Sequence, residues 1–151
     1  MVAPTVVLTL TTDNKGRILL GKRNDNKRWT LPGGHIGQNE TPLEAIKREV
    51  QEETNIAIED FVPIKINGNE HIQCYSAFYN GNQEPSGKND PDQEVGKWMW
   101  VDVRQGVPKN IYNNLHGPED KTNIIRQLFD LSNLSKSEST WLDAGFMDLS
   151  K

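Results

Sequence analysis

The sequence has a single cysteine, Cys74, so neither an intramolecular disulfide nor a cysteine zinc cluster can form. It has no run near the roughly 18 to 20 apolar residues that a membrane-crossing helix needs, so no membrane partner is expected. It lacks an excess of positive charge: 17 basic residues face 21 acidic ones, a formal charge of −4. That balance argues against a broad surface for a nucleic-acid duplex. Small anionic substrates stay open, because bound cations can reverse the local field. The three histidines, His35, His71 and His116, have no metal-ligand spacing, and His116 has no partner identifiable from the sequence. No basic segment precedes the apolar start, Met1 to Leu8, which reads as a strand and not a signal peptide. A cytoplasmic protein is the default expectation, and the sequons at Asn39 and Asn133 read as chance matches.

The 151 residues fit one domain. At that size folding buries roughly 70% of the unfolded chain's surface. Val6–Leu10 is β-branched and reads as a buried strand. A turn at Asp13–Gly16 and a returning strand at Arg17–Lys22 follow. Trp29-Thr30-Leu31 leads into Pro32-Gly33-Gly34, which a regular helix would not tolerate. Strands are predicted at Phe61–Ile66, Glu70–Tyr79 and Val95–Val103, with a polar loop over 80–93. In the second of these, Ile72, Cys74 and Phe78 share one face. A second helix is predicted at Glu119–Leu131, with Ile124, Ile125, Leu128 and Phe129 inward. Residues 1–131 make the domain and 132–151 a tail. Trp141, Leu142, Phe146 and Met147 make that tail too apolar for a free polar end. It is expected to pack on the domain or on a second subunit, as in a homodimer.

The most informative helix begins at Thr41. Thr41 is a good N-cap, Pro42 suits the first helical position, and Glu44 completes a capping box. The helix should run to about Thr54, with Leu43, Ile46 and Val50 as its apolar stripe. Glu49, Glu52 and Glu53 stand at i, i+3 and i+4, so their side chains share a face. Like charges at this spacing repel, and near a helix C-terminus the dipole adds to the cost. A divalent cation would convert the repulsion into coordination, and an all-oxygen donor set suits Mg²⁺ or Mn²⁺ over zinc. The bland alternative is a solvated acidic face. Two neighbours favour the metal: the Gly33-Gly34 loop lets backbone approach closely, and Arg48 adjoins the carboxylates.

Residues 34–56 resemble the Nudix box, the 23-residue signature G-x5-E-x7-R-E-U-x-E-E-x-G-U, where U is a bulky aliphatic residue. Gly34, Glu40, Arg48, Glu49, Val50, Glu52, Glu53 and Ile56 match. Asn55 stands where the family has glycine; that position ends the helix, and asparagine is the next most tolerant of a left-handed backbone. The strand pair before the box and Trp98-x-Trp100-Val-Asp after it extend the resemblance over roughly residues 5–130.

The resemblance implies an α+β fold, a three-layer α/β/α sandwich with a mixed sheet between helices. It implies a pyrophosphohydrolase in which water attacks a phosphorus of a nucleoside diphosphate linked to another group, with Mg²⁺ or Mn²⁺ bridging oxygens. Glu49, Glu52 and Glu53 would hold the metal, joined by the Gly33 carbonyl. Glu40 would contribute through a water or a helix-start contact, and Arg48 would orient the carboxylates. The general base is either a box glutamate, Glu49 or Glu53, or Glu94, which precedes the Trp98–Trp100 strand. Arg23 is a candidate phosphate contact, and His35, after the glycine pair, a candidate substrate contact. Trp29 could stack on a base or sit in the core. Tyr75 lies 19 residues past the box, where some dinucleoside-polyphosphate hydrolases carry a tyrosine; its alternative is a sheet-face residue.

The expected partner is a small nucleotide: a nucleotide sugar, an ADP-ribose-like compound or a dinucleotide. The alternatives are a pyrophosphatase that cleanses nucleoside triphosphates and a Nudix-fold binding module without catalysis. Such modules usually lose box glutamates, and all four are present. An RNA 5′-end hydrolase would favour a basic groove, which the net charge does not suggest.

Overall fold

The computed structural model describes residues 3–87, 95–132 and 134. Its first strand, β1 (Val6–Asp13), runs three residues beyond the predicted β-branched stretch. At the turn that follows, the Asp13 carboxylate accepts hydrogen bonds from the Lys15 and Arg17 backbone N–H groups, both at 2.9 Å. Gly16 supplies the positive φ of 73°, and the chain returns as β2 (Arg17–Arg23). Two short strands, β3 (Trp29–Thr30) and β4 (Gly33–His35), flank the proline–glycine segment. Helix α1 (Pro42–Thr54) follows, then β5 (Phe61–Ile64), β6 (Ile72–Tyr79), β7 (Val95–Asp102), a single turn α2 (Lys109–Tyr112) and α3 (Glu119–Leu131).

The sheet order is β3-β2-β1-β6-β5, with β4 pairing β1 and β7 pairing β2. β1 and β6 run parallel from Val6↔Ile72 to Asp13↔Tyr79, and the other pairings are antiparallel, so the sheet is mixed. A parallel pair is buried on both faces, and the core divides accordingly. Leu8, Leu10 and Cys74 face Ile124, Ile125, Leu128 and Phe129 of α3. Val7, Tyr75 and Ala77 face Ala45, Ile46 and Val50 of α1. The two helices therefore cover opposite faces, and the fold is the expected α/β/α sandwich.

Details of the predicted pattern change. Leu43, assigned to the apolar stripe of α1, is 41% exposed. It lies in the first turn, and Ala45 takes the buried place. Phe78 shares the Cys74 face as predicted, yet is exposed because it lies at the far end of β6. The predicted strands at 61–66 and 70–79 shorten to β5 and β6, and the turn α2 was not foreseen. Glu94 and the apolar tail residues Trp141, Leu142, Phe146 and Met147 lie outside the described residues. Among the described residues, no helix is long and apolar enough to cross a membrane.

Candidate active site

Both ends of α1 are built locally. Thr41 Oγ1 accepts the Glu44 N–H at 3.1 Å and Glu44 returns the bond from the Thr41 N–H at 2.9 Å, closing the capping box. Those bonds hold the Glu44 carboxyl below its usual range. At the other end Asn55 adopts φ 60° and ψ 24°, the left-handed conformation that stops the helix, and its N–H reaches the Gln51 carbonyl. Burial of Ala45, Ile46, Val50 and Thr54 fixes the rotation of the helix. Its acidic face then turns toward β4.

A cleft of about 830 Å³ lies there, with Glu49, Glu52, Glu53 and Arg48 on one wall and Gly33, Gly34 and His35 beside them. Arg48 ties this wall together. Its Nε donates to Glu40 Oε2 at 2.8 Å and its Nη2 to Glu40 Oε1 at 3.0 Å. Its Nη1 reaches Glu49 Oε1 at 3.0 Å and Glu52 Oε2 at 3.2 Å, and Nη2 also reaches the His35 carbonyl at 3.1 Å. Glu40 in addition accepts the Gly37 N–H at 2.7 Å. Arg48 first, then this backbone donor, hold the Glu40 carboxyl down to about 2. Both Glu40 oxygens are thus engaged by the loop and by Arg48.

Gly34 makes room for the Glu49 carboxylate, and Gly33 for the close approach of β1. A Cβ at Gly34 would lie 2.5 Å from Glu49 Cδ, and one at Gly33 would collide with the Val7 carbonyl. The Gly33 N–H donates to Glu53 Oε1 at 2.9 Å, fixing that carboxylate against β4. In kind and charge the donor set suits a hard divalent cation: oxygen ligands only, with one guanidinium set against Glu40, Glu49 and Glu52. As they stand, the carboxylates are held by Arg48 and by the Gly33 amide. Among the described residues, no three acidic, histidine or cysteine groups form a ready cage.

A model of the NUDIX domain matches residues 2–120. The chain belongs to this family. An RNA pyrophosphohydrolase of Bartonella henselae is 30% identical over 126 residues, covering 62% of this chain and 73% of the relative. A MutT-like protein of Streptomyces ambofaciens is 50% identical over 44 residues, 29% of each chain, so the Nudix chain spans under a third of that relative's length. Among solved structures, a MutT protein of Methanosarcina mazei superposes with a TM-score of 0.56 at 22% identity. That match covers 87% of this chain and 95% of the other, and it bears out the fold.

The remaining expected site residues of this Nudix domain divide. Arg23 and His35 line the cleft, with Arg23 Nη2 paired to Asp25 at 2.8 Å. Trp29 and Tyr75 do not line it and are corrected to core residues. Trp29 is 3% exposed, packed in the α3-side core with Lys22 Nζ 5.6 Å from its ring centre. Tyr75 packs edge-to-face on Phe61 in the α1-side core, and burial pushes its phenol upward. Both fail as base platforms because packing consumes their side chains: Trp29 is buried although β3 is an edge strand, with Leu115 bridging its outer side, and Tyr75 lies on the interior strand β6. Sequence reasoning missed Asn69, His71, His116 and Lys121, which also line the cleft. Nothing in their linear spacing brings them together.

Proposed function

We propose that this Nudix domain is a metal-dependent pyrophosphohydrolase that cleaves a nucleoside diphosphate linked to another group, by water attack on phosphorus. The observation that carries the reading is the carboxylate wall, in which Glu49, Glu52 and Glu53 share one cleft with Arg48 and the open Gly33–Gly34 backbone. Mg²⁺ or Mn²⁺, when bound by Glu49, Glu52, Glu53 and the Gly33 carbonyl, would neutralise phosphate charge and lower the pKa of a bound water. Arg48 orients Glu49 and Glu52, and Glu40 anchors Arg48 to the loop. Arg23 and His35, which line the same cleft, would meet the substrate's phosphates. Glu49, Glu53 or Glu94 takes the proton from the attacking water. Glu94→Gln separates these: as base, Glu94 is worth about 10²-fold or more in kcat at saturating Mg²⁺. A change within threefold assigns the proton to the box.

The cleft volume suits a nucleotide-sized ligand. Nucleotide sugars, ADP-ribose-like compounds and dinucleotides are the first substrates to test. The name of the Bartonella relative adds a second reading, the 5′-triphosphate end of an RNA. A panel of ADP-ribose, a nucleotide sugar, diadenosine tetraphosphate, nucleoside triphosphates and 5′-triphosphorylated RNA, with released phosphate products quantified, ranks these readings. Full turnover in excess EDTA, or a Glu52→Gln protein of normal rate, defeats the proposal.

A further inference from the structure

One face of the sheet is only partly covered. The registers Leu8↔Cys74, Leu10↔Ser76 and Thr12↔Phe78 put these side chains on the α3 side, with Ile64 and Val62 of β5 opposite Cys74 and Ser76. Leu8, Leu10 and Cys74 are buried in the α3-side core, and Ile64 packs against it. Further along the same face the cover stops. Val62 is 62% exposed and Phe78 53%. Phe78 is the diagonal cross-strand neighbour of Val62, a spacing of about 7 to 8 Å that an aromatic ring can bridge. The two therefore make one apolar strip.

Helix α3 runs toward this strip. Near its start Asn69 Nδ2 donates to Asp120 Oδ2 at 2.8 Å. Two turns later Gln127 Oε1 accepts the Asn67 N–H at 3.3 Å, and Gln127 Nε2 donates to the Asn67 carbonyl. As α3 advances from Asp120 to Gln127, its partners step back from Asn69 to Asn67, in the direction of β5. Its apolar stripe runs through Ile124, Leu128 and Leu131 at i, i+4 and i+7. Ile124 and Leu128 are buried, whereas Leu131 is 61% exposed, so the stripe outlasts its cover by one position. The Leu134 N–H donates to the Phe129 carbonyl at 2.7 Å, and its side chain packs on the same α3-side core. Residues 135–151 continue from that point and carry Trp141, Leu142, Phe146 and Met147.

We infer that residues 135–151 fold back from Leu134 and lay Trp141 and Phe146 over Val62, Phe78 and Leu131, closing the α3 side of the sheet. Reach permits it. The stretch from Leu134 to Trp141 spans up to about 25 Å when extended, and neighbouring strands lie only about 4.8 Å apart. The two rings supply the apolar area, about 150 to 250 Å² each. Size selects the tethered segment over a second copy of the chain. Three exposed side chains make a patch far smaller than the roughly 800 Å² per partner that a stable interface buries. A segment already joined to the domain meets the patch at an effective concentration on the order of millimolar and needs no such area.

The test uses the full chain with ¹³C-labelled valine methyls and reads nuclear Overhauser contacts from aromatic protons to the methyls of Val62. Contacts from the Trp141 or Phe146 ring are expected. They should persist when the labelled chain is mixed with a large excess of fully deuterated chain, because both partners sit on one molecule. Contacts that vanish in that excess assign the strip to a second copy and overturn the inference, as does the absence of any contact from either ring. Substitution gives an independent readout. Val62→Thr keeps the β-branched shape that a strand favours, so on a bare face it should leave the Tm unchanged. Beneath the rings it buries a hydroxyl, and the Tm should fall by about 2 to 4 °C. Trp141→Ser should lower the Tm by at least as much. The double variant should lose clearly less than the sum, since either change alone removes the same contact. A Val62→Thr chain of wild-type Tm, or strictly additive losses, overturns the inference.

Discussion

Helices α1 and α3 are both 13 residues long and cover opposite faces of one sheet, yet they are built differently. α3 begins at Pro118 with no side-chain cap and buries Ile124, Ile125, Leu128 and Phe129. Its stability comes from packing. α1 begins in a complete capping box, ends in a left-handed Asn55, and buries only Ala45, Ile46, Val50 and Thr54. Its other face carries carboxylates that repel one another and are satisfied by Arg48 and the Gly33 amide. A helix that must present unfavourable charge leans on its caps and on one arginine; a helix held by a buried apolar face needs neither.

The sharpest way to break the comparison is to alter one residue of each kind. Glu53→Gln or Glu52→Gln should lower the hydrolytic rate by about 10²- to 10⁴-fold with the melting temperature nearly unchanged. Leu128→Ala should do the reverse. Leu128 is fully buried, so its truncation should cost about 2 to 5 kcal/mol of stability while folded molecules keep their rate. Urea unfolding beside steady-state kinetics checks both.

Acid should distinguish the helices next. The Glu40 carboxyl is held down to about 2, from an ordinary 4.5. A depressed carboxyl contributes stability that is fully present above the unfolded value and is lost as pH falls through the folded one. The Glu40–Arg48 tie should therefore weaken between about pH 4.5 and 2. Glu40→Gln should flatten the stability profile in that window by lowering stability near pH 7, where the tie is fully present, as measured by urea unfolding at stepped pH.

The caps give smaller effects. Thr41→Ala should cost about 1 kcal/mol, seen as a lower melting temperature; α3 has no equivalent bond to lose. Asn55→Gly should leave activity intact and raise stability by less than the roughly 1 kcal/mol that a left-handed backbone costs an ordinary residue. A marked fall would mean that the bond the Asn55 side-chain oxygen accepts from Gln51 Nε2 matters more than its backbone.

The contrast between the helices also marks how far the sequence could be read. Every feature of α1 that bears on chemistry is local: a cap three residues from its partner, glutamates at i, i+3 and i+4, a stop at Asn55, a glycine pair just upstream. Local spacing translates directly into geometry once the helix exists, so the carboxylate wall was legible. Trp29 and Tyr75 were placed at the site by position along the chain, and packing overruled that. The Asn26 amide meets the His116 ring, with Nδ2 2.9 Å from Nδ1, although the two stand 90 residues apart and no periodicity links them.

The sequence alone determined the longer elements, the polar face of α1 and the family to which the chain belongs, because these rest on short-range spacing and turn chemistry. Only the tertiary structure decided which aromatic residues reach the cleft and which amide holds which imidazole. The parallel pairing of β1 with β6 buries that part of the sheet on both faces. A strand buried on both sides shows no alternation to say which side chain faces solvent, and loops meet only after the sheet has brought them together.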